Sequence, residues 1–428
     1  MRSRPPLPQA FTSLRAPAFR WWFLSQVISA SGTMMQGVAQ SWLVLRLTGS
    51  GLDLGLLGSC FMLPVLLGGP WAGALVDRVD RRRLLIATQS LFILCTTLLA
   101  VLTWTGAVRV WMLFVIALVT GAVSAPDGAA RQVYVLDLVG GRRLGSAISL
   151  NEVVLNVSRV LGPALGGLFL ATLGIAVCFV ANAASYIPPL LVLLVLHRGL
   201  ARNASSAGVA RSAPARSVPG QVRAGLGYVW RTPAIRAVVL MAAASGMLFN
   251  LGVALPLLAT RVFHLGGGGY GLMMAAFGAG GFAGALLAAS SRPDPGGHEV
   301  RLLAVLTSLA IVATALAPDT PLVFAGLVVT GGLSIWFIAR ANTLAQLRAD
   351  PAMRGRVMGI WTMALPGAAP VTSPAIGYTA QVAGARAGFG LAGVALLVTA
   401  ATGWRALSTS PIAQPQQIGD ALPAAGGG

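Results

Sequence analysis

The sequence predicts an all-α integral membrane protein with twelve transmembrane helices in two six-helix halves. Hydrophobic residues make up 56% of the 428-residue chain and charged residues only 10%, whereas about a quarter of the residues of a soluble domain are charged. The apolar runs suit helices, which need about 20 residues to cross a bilayer. They are too long for the alternating strands of a membrane β-barrel.

A polar gap separates six apolar runs from six more. In order, the runs cover residues 19–45, 52–76, 84–106, 110–130, 145–171, 175–197, 236–260, 269–290, 301–317, 321–345, 357–384 and 387–407. Five parts follow from this pattern: a cytoplasmic N-terminal segment (1–18), the first half (19–197), a cytoplasmic linker (198–235), the second half (236–408) and a disordered tail (409–428).

The linker is rich in alanine, serine, proline and arginine, a composition typical of flexible segments. Near its end, Val222, Leu226 and Val229 are spaced by three and four residues with arginines between them. This spacing predicts a short amphipathic helix on the membrane surface.

The arginine distribution predicts that both termini are cytoplasmic. Most arginines fall in the segments on the same side of the membrane as the N-terminus, and positively charged loops stay in the cytoplasm. The exceptions are Arg46, Arg109, Arg261 and Arg386 on the other side, and Arg159 within a span. We therefore expect a multi-pass protein of the cell inner (plasma) membrane.

The composition also argues against several functions. The net charge is +19, but the basic residues are scattered through short loops rather than clustered on a soluble surface, so nucleic-acid binding is not expected. Cys60, Cys95 and Cys178 have no paired spacing, so neither a disulfide framework nor a metal site is predicted. The sequence has no nucleotide-binding loop and no catalytic spacing, and we expect no enzyme activity and no cofactor.

A dense run of charges at residues 73–83 separates the second and third apolar runs. An unpaired charge at the bilayer centre costs at least about 2.5 to 3.5 kcal/mol, so this run must be a loop at one membrane face. The loop resembles the signature loop of the major facilitator superfamily, because Gly73, Asp77, Arg78, Arg81 and Arg82 fit that pattern. Asp80 stands where the superfamily usually has glycine.

The resemblance implies the major facilitator fold and a latch between its two halves. Asp77 is expected to face the N-terminal dipole of helix eleven near Gly355, while Arg81 or Arg82 pairs with Asp127 at the end of helix four. Gly73 would permit the close approach. The alternative is a topology signal that only keeps the loop inside the cell.

The two halves also look related to each other. The stretch from Gly73 to Asp77 recurs as Gly284 to Ala288, at an offset of about 210 residues. Two related halves are typical of transporters with a substrate site between them. Because Ala288 replaces the acid, the latch is expected only once.

Helix one carries a polar stripe along one face, formed by Gln26, Ser29, Thr33, Gln36 and Gln40. Lipid cannot hydrogen-bond these side chains, so they must face either neighbouring helices or a water-filled cavity. Both interpretations are open at this stage. Gln26, Gln36 and Gln40 are candidates for the translocation pathway.

Helix five carries Glu152, Asn156 and Arg159, three further candidates for the pathway or for coupling. Glu152 and Arg159 lie on the same face of the helix, about 10 Å apart along its axis. Their side chains are long enough to pair across this distance, but the spacing does not require that they do. An ionisable residue inside a membrane is a functional candidate by default. Glu152 suits proton coupling because desolvation favours a protonated carboxyl, and the alternative is an internally paired structural charge.

Asn250 in helix seven is either a pathway residue or a helix-packing residue.

Helix five continues into Gly162, Pro163, Gly166 and Gly167, which permit close helix packing. This run resembles the end of the superfamily's antiporter motif, although Ser149 and Ser158 replace two of its glycines. A longer resemblance, from residue 19 to about 407, points to the enterobactin-exporter-like branch. Its matching residues include Pro126, Asp127, Arg131, Asn151, Asn342, Gln346, Arg354, Gly355 and Arg356.

Helix eleven contains Pro366, Pro370 and Pro374, each of which removes a backbone hydrogen bond. We predict a bent helix that lines a cavity, since lipid cannot satisfy the freed carbonyls.

Together these features predict a secondary active exporter of a drug, siderophore or other amphipathic metabolite, driven by proton antiport and acting as a monomer in the lipid bilayer. The alternatives are a proton-independent facilitator or importer, and a membrane receptor or scaffold that transports nothing.

Overall fold

The computed structural model describes residues 9–140, 143–195, 226–351 and 353–408. All regular secondary structure within these residues is helical. Most of the expected linker (198–225), the expected tail (409–428) and the first eight residues lie outside the described residues. The part of the predicted surface helix that is described, residues 226–231, is helical.

Within the described residues, twelve long helical segments, three of them broken, follow one another along the chain. The first half contains α1 (Pro17–Thr48), α2 (Gly51–Arg78), α3 (Arg81–Trp104), α4 (Val110–Val139), α5 (Leu144–Thr172) and α6 (Ile175–Ser185 and Ile187–Val195). The second half contains α7 (Pro233–Gly246 and Leu251–Arg261), α8 (Gly267–Ser290), α9 (Gly297–Ala315), α10 (Thr320–Arg348), α11 (Arg354–Gly367 and Ala369–Val382) and α12 (Ala385–Thr402). A short helix, α13 (Trp404–Ser408), follows.

The predicted all-α membrane fold is confirmed. Within the described residues, nine helices are long and apolar enough to span a bilayer, and α7, bent by 44°, is the tenth. The two remaining segments are α1, whose apolar residues alternate with its polar stripe, and α11, which is broken at Ala368. The break falls where the prolines predict an interrupted helix, because Pro370 opens the second piece of α11.

Asp80 has a structural role in the charged loop between α2 and α3. Its carboxylate accepts a hydrogen bond from the backbone N–H of Arg83 at 2.8 Å, which makes it the N-cap of α3. A capping side chain satisfies one of the free N–H groups at a helix start. The departure from the superfamily glycine therefore supplies a helix cap.

The two halves meet closely at the end of the molecule that carries the loop between α1 and α2. We call it the opposite end, because it lies across the molecule from the arginine-rich loop between α2 and α3. There α2 packs along α11, and α5 packs along α8. A Cβ atom built at Gly55 of α2 would lie 2.5 Å from the carbonyl oxygen of Ser373. One built at Gly271 of α8 would lie 2.8 Å from the carbonyl oxygen of Pro163. The helices thus touch through their backbones, which only glycine permits.

The halves are apart at the other end, the arginine-rich end, which carries the loop between α2 and α3. Gly73 of α2 and Gly355 of α11 are both exposed, and a Cβ built at either would meet no atom within 4 Å. The α2–α11 contact is still present at Gly367, where such an atom would lie 3.1 Å from Leu66. The two helices therefore diverge beyond this point, and a space opens between the halves.

Two ion pairs at the arginine-rich end differ in burial. Arg340 of α10, 4% exposed, donates from Nε and from a terminal guanidinium nitrogen to Glu299 of α9 at 2.6 and 2.9 Å. Arg81 of α3 pairs with Asp137 of α4 at 3.0 Å, and both side chains are 38% exposed. The first pair has one buried partner, Arg340, whereas both partners of the second pair are exposed to water.

This difference predicts unequal stability losses. Removing one partner of a buried pair costs about 3 to 5 kcal/mol, and because the Glu299 side chain is 33% exposed we expect about 2 kcal/mol for Glu299→Gln. Asp137→Asn should cost about 0 to 1 kcal/mol, the range for exposed pairs. Thermal unfolding in detergent measures both. Equal losses would show that burial of Arg340 has no energetic consequence.

Candidate translocation cavity

A cavity of about 1080 Å³ lies between the halves, lined by residues from α1 to α8. It extends from Leu136 and Ile148, towards the arginine-rich end, to Tyr270 near the closed opposite end. Its aromatic lining residues are Trp22, Phe61, Phe92, Tyr186, Phe249 and Tyr270. Pockets of this size and character hold drug-sized molecules.

The polar stripe of α1 faces this cavity. Gln26, Ser29, Thr33, Gln36 and Gln40 all belong to its lining. The stripe therefore lies where we would expect it if its side chains line a cavity.

The same stripe also binds neighbouring helices. The side-chain oxygen of Gln36 accepts hydrogen bonds from Thr96 of α3 at 3.1 Å and from Asn182 of α6 at 2.5 Å. The hydroxyls of Thr33 and Tyr186 are 3.0 Å apart. Both interpretations of the stripe therefore hold at once, because residues at the cavity edge contact helices on one side and the cavity on the other.

Asn250 stands at the break in α7 and lines the cavity. Its side-chain amide donates to the hydroxyl of Thr372 in α11 at 3.1 Å. Like the α1 stripe, it combines a helix contact with a position in the cavity wall.

A buried polar cluster surrounds Asp127 of α4, which is 6% exposed. One carboxylate oxygen accepts hydrogen bonds from Thr88 at 2.7 Å and Gln89 at 3.1 Å, both on α3. The other accepts from Arg131, one turn further along α4. Arg131 also donates to the side-chain oxygen of Gln26. The cluster thus joins α1, α3 and α4 along the cavity wall.

The expected pairing of Arg81 or Arg82 with Asp127 is wrong for this structure. Arg131 occupies the carboxylate because it lies four residues away on the same helix, the distance at which helix side chains meet. Arg81 instead pairs with Asp137. Arg82 donates to the backbone oxygen of Leu193 at the end of α6, at 2.7 Å.

Thr88 and Gln89 were not among the sequence candidates. They lie inside an apolar run with no charge beside them, so the sequence gives no sign that they serve a buried acid. The spacing of Asp127 and Arg131 did carry a usable signal, since oppositely charged residues four apart stabilise a helix as a pair.

Glu152 of α5 is exposed and lines the cavity. Among the described residues it forms no ion pair within 4.0 Å, so Glu152 and Arg159 do not bridge the distance between them here. Asn156 donates its side-chain amide to the backbone oxygen of Glu152 at 2.8 Å. Neither Asn156 nor Arg159 is among the described lining residues.

The glycine motif of α5 joins three helices. A Cβ built at Gly162 would lie 2.6 Å from the carbonyl oxygen of Ser31, and one at Gly166 would lie 3.3 Å from Val38, both on α1. On the other side of α5, a Cβ at Gly167 would lie 2.8 Å from the carbonyl oxygen of Gly268 in α8. The motif therefore packs α5 against α1 within its half and against α8 across the interface.

The gating residues are separated in this structure. Gly73, Asp77, Arg78 and Gly355 are all exposed, and Asp77 forms no ion pair among the described residues. The latch contact between Asp77 and the start of α11 is thus not formed here, and it stays a prediction for a conformation that is closed at this end.

The described residues contain no group of three or more His, Cys, Asp or Glu side chains that could hold a metal ion.

A family profile described as "Transmembrane secretion effector" matches residues 8–414. The chain is 30% identical to the multidrug efflux pump Tap of Mycolicibacterium fortuitum, over 84% of this chain and 88% of that protein. It is 29% identical to the enterobactin exporter EntS of Citrobacter koseri, over 89% and 91%. The match to the staphyloferrin A transporter of Staphylococcus aureus, 31% identical, covers 42% of this chain and less than half, 45%, of that protein.

Two solved structures share this architecture. A bacterial homologue of the human lysosomal transporter Spinster, inward-facing and unoccupied, superposes with a TM-score of 0.72 at 15% identity, over 92% of this chain and 97% of that one. The nucleoside transporter NupG gives a TM-score of 0.70 at 11% identity, over 92% and 100%. At these identities the likeness concerns the fold alone.

The α5–α8 contact predicts a variant that opens the opposite end. In Gly271→Leu, the new side chain would overlap the backbone of Gly167 and Pro163. A cavity cysteine, Gly37→Cys in a background without the native cysteines, should then react severalfold faster with a membrane-impermeant maleimide added on the side of the opposite end.

Two observations keep this test interpretable. A Cβ at Gly37 meets no atom within 4 Å, so the reporter itself should be tolerated. Gly266→Leu, just before α8 and equally free of neighbours, is the matched control and should leave labelling unchanged. Unchanged labelling in folded Gly271→Leu would contradict a closure that depends on backbone contact.

Proposed function

This chain belongs to the transmembrane secretion effector family of the major facilitator superfamily, a family of small-molecule transporters, and from this membership we propose that it is a secondary active exporter working by alternating access and proton antiport. The observation that carries the proposal is the cavity between the halves, which is closed at the opposite end and open at the arginine-rich end. Such an arrangement is one of the two end states of an alternating-access cycle.

The direction follows from the arginines. Positively charged loops stay in the cytoplasm, so the arginine-rich end and both termini are cytoplasmic in this proposal. The protein then lies in the plasma membrane as a monomer with its cavity open to the cytoplasm, where an exporter collects its substrate.

The lining indicates the kind of substrate. Aromatic side chains provide apolar surface, while the glutamines and hydroxyls of α1 provide hydrogen bonds at a few fixed points. This combination favours an amphipathic molecule. The names of the relatives, a multidrug efflux pump and an enterobactin exporter, agree with a drug or siderophore for this chain.

Proton coupling is assigned to Glu152. Its carboxylate reaches water through the open cavity and has no described ion-pair partner. Closing the arginine-rich end would remove that water, and burial of an unpaired carboxylate favours the protonated form. Asp127 is a weaker candidate because Arg131, Thr88 and Gln89 already stabilise its charge.

The latch is assigned to the closed state of the arginine-rich end. When α2 and α11 approach, Asp77 would meet the N-terminus of α11 at Gly355, an interaction of about 0.3 to 2 kcal/mol. That energy matters because two conformations of a protein commonly differ by only a few kcal/mol.

Glu152→Gln should abolish gradient-driven transport, because the amide cannot carry a proton. A growth screen against siderophores and amphipathic antibiotics first supplies a substrate, and flux is then measured in proteoliposomes with and without a proton gradient. Asp294→Asn removes an exposed acid from the α8–α9 loop and should keep full flux. Full gradient-driven flux in Glu152→Gln would exclude Glu152 as the coupling acid.

The same assay separates the alternatives. Movement of substrate against its own gradient excludes a passive facilitator. Binding of substrate without movement into sealed vesicles favours a receptor and contradicts the proposal.

Asp77→Asn should lower transport by up to about thirtyfold, the factor that corresponds to about 2 kcal/mol, while expression and insertion stay normal. Arg83→Gln in the same loop keeps the acid and removes one positive charge, so it should leave flux unchanged. If Asp77→Asn transports normally, only the topological role of this loop remains.

A further inference from the structure

Two arginines at the arginine-rich end of the second half have guanidinium nitrogens without a hydrogen-bond partner among the described residues. Arg301 of α9 is 8% exposed, and its buried Nε has no hydrogen-bond acceptor. Arg348, the last residue of α10, has two such nitrogens, Nε and one terminal nitrogen. Because buried donors nearly always find an acceptor, three unpartnered donors in one place indicate that an acceptor binds there.

The two side chains lie in the same corner, beside α13. Arg301 donates to the backbone oxygen of Trp404 at 3.0 Å, and its guanidinium carbon lies 4.5 Å from the centre of the Trp404 ring. Arg348 reaches Gly297, one turn before Arg301 on α9, where a Cβ atom would lie 3.0 Å from a guanidinium nitrogen. The two arginines are close enough for their charges to interact.

The nearest carboxylate on α9 is already occupied. Glu299 binds Arg340 through both of its oxygens. Among the described residues, neither Arg301 nor Arg348 forms an ion pair within 4.0 Å. The corner therefore carries two positive charges without a described counter-charge.

Exposed apolar side chains lie on the same helices as the corner. Leu302, Leu306 and Leu309 on α9 are 40% to 54% exposed, as large apolar side chains facing lipid are. Trp404, at the end of the last helices, is 44% exposed, and tryptophan is enriched at the level of the lipid headgroups. An acceptor that enters from this side meets the arginines at headgroup depth.

We propose that Arg301 and Arg348, together with Trp404, form a binding site for the phosphate of an anionic phospholipid. Guanidinium groups donate parallel hydrogen bonds to phosphate oxygens, and basic pockets between membrane helices bind such headgroups. The bound lipid joins α9, α10 and α13. The site does not depend on the transported substrate.

The test compares the full chain in nanodiscs of phosphatidylcholine with nanodiscs that also contain phosphatidylglycerol. Phosphatidylglycerol should raise the unfolding temperature of the wild type, and native mass spectrometry should find it retained on the protein. Arg301→Gln/Arg348→Gln should lose both effects. The control Arg83→Gln/Arg292→Gln removes two exposed charges at the same end and should keep both effects.

The readout is the difference between the two lipid compositions, so a general loss of stability does not imitate the result. If the double variant does not fold, Arg348→Gln alone should reduce the difference, because it removes two of the three unpartnered donors. An undiminished difference in the arginine variants overturns the proposal. So does equal stabilisation by inorganic phosphate in phosphatidylcholine alone, which would indicate a site for free anions.

Discussion

The backbone contact between the halves at the opposite end is the constraint on which the cavity depends. Glycines on α2, α5, α8 and α11 let the helices touch without interlocking large side chains, and in a membrane such close contacts are stabilised by van der Waals packing and by hydrogen bonds such as that from Ser59 to the backbone oxygen of Pro370. The same helices carry glycine at the arginine-rich end, Gly73 on α2 and Gly355 on α11, where nothing now contacts them. One helix pair therefore has the means of close approach at both of its ends, which is what a cavity with alternating openings requires.

Each half also carries, on its fourth helix, an arginine that is paired with an acid. In the first half, Arg131 is held by Asp127 of its own helix and by Gln26, beside the cavity. In the second half, Arg340 stands at the matching position and is held by Glu299 of the neighbouring helix. Both halves have the arginine, but its carboxylate partner lies on the same helix in the first half and on the neighbouring helix in the second. Either arrangement serves, because any nearby acid can compensate the charge. The acid of the first half, Asp127, lies in the cavity wall.

Much of the fold follows from the sequence, because a span of apolar residues can only be a helix when lipid offers no hydrogen bonds. The all-helical membrane fold and the break in α11 were predictable on this ground, whereas the sequence left open whether the α1 stripe contacts helices or lines a cavity. The partners of Asp127 were not predictable, because choosing between Arg81 and Arg131 depends on how α3 and α4 lie side by side. The conformation was not predictable either, since the latch residues are the same whether the arginine-rich end is open or closed. The capping role of Asp80 was not predictable either, because comparison with the superfamily motif shows only that the usual glycine is missing at this position.

An arginine-to-carbonyl contact recurs in both halves and bears on how they move. Arg82, in the first turn of α3, donates to the backbone oxygen of Leu193 in the last turn of α6. Arg301, near the start of α9, donates to the oxygen of Trp404 just after α12. The first contact places a positive charge at the negative C-terminal end of α6, where it is stabilising. Arg82 ties α3 to α6, and Arg301 ties α9 to α13, both at the arginine-rich end, where the halves no longer touch. In the proposed alternating-access cycle, each half would keep these internal contacts when that end opens, and the change between states would occur at the interface between the halves rather than within them.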